Sequence, residues 1–375
     1  MFSTLDVDIR PGAGLGMFEI GASLWSVLDL LRRYQVAFPQ VDVKYDPDVS
    51  STTPIVVHVR PHLDLLFSGK HQRLHTICLR QLRYPNPPVT LRYKDTVLSS
   101  TEEVLTRGGV SRTFGPTYPG DDLKYPGVWF SFEDGISEHS KGSHPEDRNQ
   151  EVKRVFISQK ALDGEDRDAL DEVGECPAMA GDVTRAVVKI HDGVTLHFHP
   201  PGVEPIHVSL GKTTAQDLVV DLGSPMRTHY KEDDRMTIHS TTLESENEPE
   251  RGYFYNYFQY GLDFYISGRT HIVQKIVLHS NIPGSPQFQR YKRCNWEIEG
   301  KPEDDEDDSP PRKCLHDKFD TISHFLGPRA PPPSMLHFPA EDEDVLQRNV
   351  TQLYGYDGII LEVTESSQVV SVTLF

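Results

Sequence analysis

LDLLFSGKHQRLHTICL (Leu63–Leu79) and LDFYISGRTHIVQKIVL (Leu262–Leu278) align over 17 residues without a gap and share six identities. Leu63, Leu65 and Phe67 alternate along the first, as Leu262, Phe264 and Ile266 do along the second, the period of a half-buried strand. Ser68-Gly69 and Ser267-Gly268 open a turn, where glycine supplies backbone angles that other residues resist. Ile77 and Leu79, or Ile276 and Leu278, sit on the returning strand. Each stretch is predicted to be a β-hairpin, and the recurrence predicts a chain built by repeating one unit.

Working outward, a capped helix precedes each hairpin. In GASLWSVLDLLRRYQ, Leu24, Val27, Leu28 and Leu31 fall on one helical face behind Ser23 as N-cap. In GKTTAQDLVVDLGSP, Thr213 and Gln216 have capping-box spacing, and Gly223 and Pro225 end the helix. Two weaker copies follow the same order. One has a helix capped at Ser100–Glu103 that runs toward Phe114, then strands at GVWFSFEDG and EVKRVFIS. The other has KFDTISHFLGPRAPP, then DGIILEVTESSQVVSVTLF. The expectation is an α+β fold of about four helix-plus-antiparallel-sheet units, at 1–95, 96–160, 183–298 and 314–375. A linker at 161–182 and an acidic loop at 299–313, too charged to bury, separate them.

The 375 residues carry a formal charge of −18. Glu297–Asp308 holds −7 of it, so the body alone is −11, which argues against a nucleic-acid partner held by counterion release. No run of 18 apolar residues exists for a transmembrane helix, and the first residues do not read as a signal peptide, so a cytoplasmic protein is expected. Cys78, Cys176, Cys294 and Cys314 form no CxxC pair. His197 and His199, near His191 and His207, lack a third ligand fixed by spacing and read as a solvated strand face. No nucleophile elbow, HExxH pair, P-loop or dinucleotide fingerprint is present, and Gly12–Gly16 lacks the lysine of a phosphate loop. Catalytic residues, cofactor and metal are each expected to be none.

The densest aromatic run is YFYNYFQYG, Tyr253–Gly261. Both alternating faces are aromatic, which fits a strand buried on both sides or one covered by a partner protein. Arg290-Tyr-Lys-Arg293 is a local basic patch. Since interfaces lean on a few aromatic and arginine anchors, the candidate partner-binding residues are Tyr255, Tyr257, Arg290 and Arg293. FGPTYPG, Phe114–Gly120, reads as a rigid corner with Phe114 and Tyr118 packed inward.

The chain resembles the phagosome assembly factor 1 family. The resemblance rests on GLGMFEIGASLWSVLDLLR (Gly14–Arg32), QVDVKYD (Gln40–Asp46), LLFSGKHQRLHTI (Leu65–Ile77) and FGPTYPG. It continues through YFQYGLDFYISGRTHIVQKIVLHSNIPG (Tyr257–Gly284), YKRC (Tyr291–Cys294), DGIILEV (Asp357–Val363) and VVSVTLF (Val369–Phe375). It covers nearly the full length in order and carries over no catalytic residue. What it implies is a non-enzymatic adaptor in autophagy, recruited to the phagophore assembly site. The implied partner is a WD40-type β-propeller protein, the breast carcinoma amplified sequence 3 protein, with phosphoinositide membranes met indirectly through it. The alternative is a module that binds phosphoinositide lipid directly. The repeated unit also resembles, in fold alone, small bacterial outer-membrane assembly lipoproteins.

Overall fold

A computed structural model describes residues 5–47, 52–84, 88–118, 120–132, 148–160, 172–230, 252–300, 310–327, 334–337 and 350–375. The acidic run at 301–309 and the proline-rich stretch from 328 to 333 lie outside them. The chain divides into two compact units, Met1–Met179 and Ala180–Phe375.

The first unit runs β1 (Asp6–Arg10), β2 (Gly14–Leu15), β3 (Phe18–Glu19), α1 (Leu24–Arg33), β4 (Val41–Lys44), β5 (Ile55–Val59), β6 (Leu63–Phe67) and β7 (Leu74–Arg80). It continues with β8 (Thr90–Tyr93), β9 (Thr96–Ser99), α2 (Arg107–Phe114), β10 (Leu123–Tyr125), β11 (Val128–Ser131) and β12 (Arg154–Ser158). These strands form a five-stranded sheet, β3-β2-β1-β8-β9, and a seven-stranded one, β10-β11-β12-β7-β6-β5-β4. The second unit opens with β13 (Val183–Lys189), β14 (Gly193–Phe198), β15 (Ile206–Ser209), α3 (Ala215–Leu222), β16 (Arg227–Tyr230), β17 (Tyr253–Tyr257), β18 (Leu262–Ile266) and β19 (Val273–His279). Then come β20 (Trp296–Glu299), β21 (Arg312–Cys314), α4 (Phe319–Leu326), β22 (Ser334–His337), β23 (Thr351–Tyr356), β24 (Ile359–Val363) and β25 (Val369–Leu374). Its sheets are β15-β14-β13-β20-β21 and β16-β17-β18-β19-β25-β24-β23-β22.

The α+β expectation of four helix-plus-sheet units is therefore corrected. The chain is mostly sheet, with four α-helices of eight to ten residues among the described residues. Strands expected in separate units share one sheet, since β12 bonds to β7 and β25 bonds to β19. What recurs is the whole half-chain. Both large sheets are antiparallel throughout, and each five-stranded sheet holds one parallel pair at the matching place, β1 with β8 and β13 with β20. In the second unit the inner faces of both sheets, with α3 and α4, enclose one apolar core around Trp296, Phe264, Leu278 and Ile322.

The two quoted hairpins match in detail. β6–β7 and β18–β19 keep the same register and carry a bulge at the same step, between Leu66 and Phe67 and between Tyr265 and Ile266. Gln72 and His271 occupy equivalent left-handed positions, φ 52° and 53°. Their carbonyls accept from the first helical N–H, Leu24 N at 2.8 Å and Ala215 N at 2.8 Å. Each hairpin turn thus satisfies one of the four orphan donors at a helix start. Ser23 caps α1 by accepting from Ser26 N. The capping box of α3 is Thr214 with Asp217, one residue beyond the expected Thr213–Gln216 pair, because the Thr213 carbonyl is still accepting from Val273 N and Thr214 bridges to Ile272 before the helix begins. α2 begins at Thr106, not Ser100, whose hydroxyl instead accepts from Glu102 N and Glu103 N in a local turn.

Gly69 shows how tightly the first hairpin turn is packed, because a Cβ there would lie 1.7 Å from the Thr52 carbonyl oxygen. Gly69→Ala is expected to destabilise the protein by about 2 kcal/mol through overpacking against backbone. A denaturant melt of the variant measures this, and an unchanged midpoint would refute the packing argument.

Candidate functional site

β17 is aromatic on both faces, and the structure gives each face a different task. Tyr253, Tyr255 and Tyr257 face the core beside α3. Tyr257 is fully buried and donates to the Gly223 carbonyl at 2.9 Å, tying β17 to the end of the helix. The Tyr253 hydroxyl lies 2.8 Å from His271 Nδ1, so it reaches the hairpin turn. Burial, followed by the neighbouring Tyr255, pushes the Tyr253 hydroxyl up to about 12. The same causes push Tyr257 upward.

On the opposite face Asn256, Asp263, His279 and Tyr291 converge. Asp263 Oδ1 accepts from Asn256 Nδ2 at 2.7 Å. Oδ2 accepts from the Tyr291 hydroxyl at 2.7 Å and faces His279 Nε2 at 2.9 Å. The Tyr291 and His279 rings stack at 3.7 Å. Burial and the Asp263 charge push the Tyr291 hydroxyl well above the usual tyrosine range. The first unit repeats the arrangement at the equivalent aspartate. Asp64 Oδ1 meets His58 Nδ1 at 2.6 Å and Arg80 Nη2 at 3.2 Å, from the same cross-strand and hairpin-end positions. One carboxylate per half thus fastens three strands, with different partners each time. Repetition with changed partners fits a fastening rather than a reaction centre, and the Asp263 carboxylate already meets three neighbours.

The candidate partner-binding residues scatter. Tyr255 is half-buried on the inner face, Tyr257 lies in the core, and Arg293 is buried with Nε donating to the Ser280 carbonyl at 2.9 Å. Arg290 is exposed, its guanidinium 5.8 Å over the Phe258 ring. Of the corner residues, Phe114 packs on Tyr93, Tyr125 and Phe130, whereas Tyr118 is 92% exposed, so its expected inward packing is corrected. The loop is pinned elsewhere, by Tyr125 donating to the Gly115 carbonyl at 2.8 Å and Arg107 to the Gly120 carbonyl at 3.1 Å.

The remaining chemistry-bearing groups are dispersed. His197 lies 3.4 Å from Arg185 Nη2, and His207 meets Thr195 and Asp192. Among the described residues no three metal-ligating side chains come together. All four cysteines are free thiols, and burial raises each, Cys78 and Cys294 to about 12, so none is poised as a thiolate. A cavity of about 280 Å³ beside Phe319, Gln352, Tyr354 and Thr364 falls just below the usual range for small-molecule sites. No helix among the described residues is long and apolar enough to cross a membrane.

Sequence reasoning missed Asp64 and Asp263, although the signal was present. Both aspartates interrupt apolar strands at one of the six identities of the repeat.

The geometry defines a duplicated β-sheet scaffold whose central polar groups are spent on holding strands together. The chain belongs to the phagosome assembly factor 1 family, whose model matches residues 14–171 and 174–375. A PHAF1 protein of Arabidopsis thaliana is 28% identical over 395 residues, covering 98% of this chain and 92% of its own. PHAF1 proteins of Drosophila melanogaster and Caenorhabditis elegans are each 25% identical, covering 99% and 96% of this chain and 94% and 90% of theirs. No solved structure matches. Family membership points to a role in phagosome assembly, and the family name denotes an assembly factor.

Asp263→Ala is expected to cost about 3 kcal/mol, because it strands buried partners. Asp64→Ala, at a site where Asp64 and Arg80 are 22% and 28% exposed, is expected to cost about 1 kcal/mol. Chemical denaturation of the two variants side by side tests the order, and equal costs would contradict the burial argument. The raised tyrosines also set an alkaline limit. Their folded forms keep protons that a free tyrosine releases near pH 10, so this stabilisation is whole below about pH 10 and drains away as pH climbs towards 12. Thermal melts from pH 8 to 11.5 are expected to fall more steeply for the parent than for Tyr253→Phe.

Proposed function

We propose that the chain is a non-enzymatic adaptor or regulatory subunit in autophagy, acting at the phagophore assembly site in complex with a β-propeller partner. The observation that carries this reading is full-length membership of the phagosome assembly factor 1 family, spanning both halves of the duplicated scaffold. The internal use of the Asp64 and Asp263 carboxylates agrees with a scaffolding role. A second reading, a module that binds phosphoinositide directly, draws on the exposed Arg290 over Phe258. The charge of −18 opposes general attraction to anionic lipid.

Affinity purification of the tagged full chain from its own cells, fed and starved, is expected to recover a stoichiometric β-propeller protein together with autophagy proteins. Recovery of the chain alone would sink the adaptor reading. Flotation with phosphoinositide vesicles would then support direct lipid binding.

A further inference from the structure

In the first half, Glu172–Met179 forms a strap against the turn of the β6–β7 hairpin and the glycine before α1. Glu172 Oε1 accepts from Lys70 N at 3.1 Å. Gln159 grips the strap in the middle, accepting from Gly174 N at 2.8 Å and donating to the Gly174 carbonyl at 3.0 Å. Cys176 donates to the Ile20 carbonyl at 3.3 Å, and its sulfur stands where a Cβ on Gly21 would be. Met179 is buried beside the same glycine.

The second half builds the same receiving surface. Gly21 N donates to the Leu74 carbonyl at 2.8 Å, and Gly211 N to the Val273 carbonyl at 2.9 Å. Leu74 N and Val273 N return the bond, to the Ala22 and Thr213 carbonyls at 2.8 and 2.9 Å. Both glycines are left-handed, φ 85° and 70°. Lys70 aligns with Arg269 in the hairpin repeat. Yet Gly21 is buried and Gly211 exposed. Beyond the chain neighbours of Gly211, no described atom lies within 4 Å of where it would carry a Cβ. Arg269 N donates instead to the Ser267 hydroxyl at 3.3 Å, which also accepts from Thr270 N at 3.3 Å. One residue is inserted between Gly211 and the helix, Lys212, exposed and paired with no carboxylate among the described residues.

We propose that this bare surface, Gly211 and Lys212 beside the Ser267–His271 turn, receives an acidic strap from a partner protein. The strap already seated in the first half sets its pattern. It has a carboxylate for the turn, a small side chain over the glycine four residues on, and an apolar residue just beyond. In the second half the acids meet Arg269 and Lys212, and the small residue fills the space over Gly211. Opposite charge at such a surface selects the partner more than it tightens binding. Lys212 has no counterpart before α1, so the partner strap is the more acidic of the two. A second copy of the chain is a poor occupant, since its own strap is already held in its own first half. The inference rests on the adaptor reading and specifies its partner by chemistry.

The test is fluorescence anisotropy of the full chain with a capped, labelled peptide that copies Glu172–Met179 and carries Cys176→Ser, which keeps a donor and removes the thiol. The peptide is expected to bind with a Kd below about 1 mM, the concentration at which a short tether presents a segment to its site. Gly211→Asn fills the open space with a residue that tolerates the left-handed backbone. It is expected to weaken binding by about tenfold with the melting temperature held, as is Lys212→Glu with Arg269→Glu. Absence of saturation by about 1 mM would overturn the proposal. So would indifference to both variants, which would mean that the peptide exchanges with the strap of the first half. Binding gained only when residues 232–250 are replaced by a Gly-Ser linker would overturn it as well, giving the surface to that acidic segment of the chain. A β-propeller protein recovered equally by the parent and the Lys212→Glu, Arg269→Glu variant would sink this inference and leave the adaptor reading standing. Its absence from the parent preparation would sink the adaptor reading itself.

Discussion

Everything in each half hangs on a single carbonyl. The turn residue after Ser-Gly, Gln72 or His271, adopts a left-handed conformation and offers its C=O to the first N–H of a helix. That contact fixes where the helix starts relative to the hairpin, and hence which helical face meets the large sheet. Leu24, Val27, Leu28 and Leu31 are buried in α1, and Ala215, Leu218 and Leu222 in α3, because the turn sets the rotation. The aspartate at the far end of the same hairpin secures the other side. Two short polar devices, one at each end of a hairpin, thereby position an apolar core that could otherwise slide in register.

The hairpins and their helices were legible because their signals are local: period-two alternation, a Ser-Gly turn, and apolar positions at i, i+3, i+4 and i+7. What the residues did not show is which strands share a sheet. β12 lies beside β7, more than 70 residues earlier in the chain, and nothing in the residues of either strand names the other. Four apparent units therefore proved to be two halves, and an α+β reading became a mostly-sheet one. The 3.6-residue pattern of a short helix stands out more than the weaker pattern of the several strands around it.

The aromatic strand shows a second limit. Composition marked Tyr253–Tyr257 as buried or as covered by a partner, and both readings were open. The structure places Tyr257 in the core through its bond to Gly223, while the rings on the opposite face stay half-buried. Arg293 looked like an anchor because it adjoins Arg290, yet one residue serves a backbone carbonyl and the other lies over a ring at the surface. The aspartates were recoverable from the repeat itself, since an acid kept at the same apolar-strand position in two diverged copies requires a physical reason.

The order of strands bears on synthesis as well as stability. β25 is the last strand of the second half and lies fifth among eight, between β19 and β24. β12, the last of the first half, lies third among seven, between β11 and β7. A ribosome making this chain therefore releases each half with its keystone missing, two partial sheets showing raw edges until the closing strand emerges. Pairing so late and so distant in sequence is slow, and open edges are where nascent chains stick to one another. Duplication imposes that interval twice per molecule, so the chain depends on protection during translation more than a meander of the same size would.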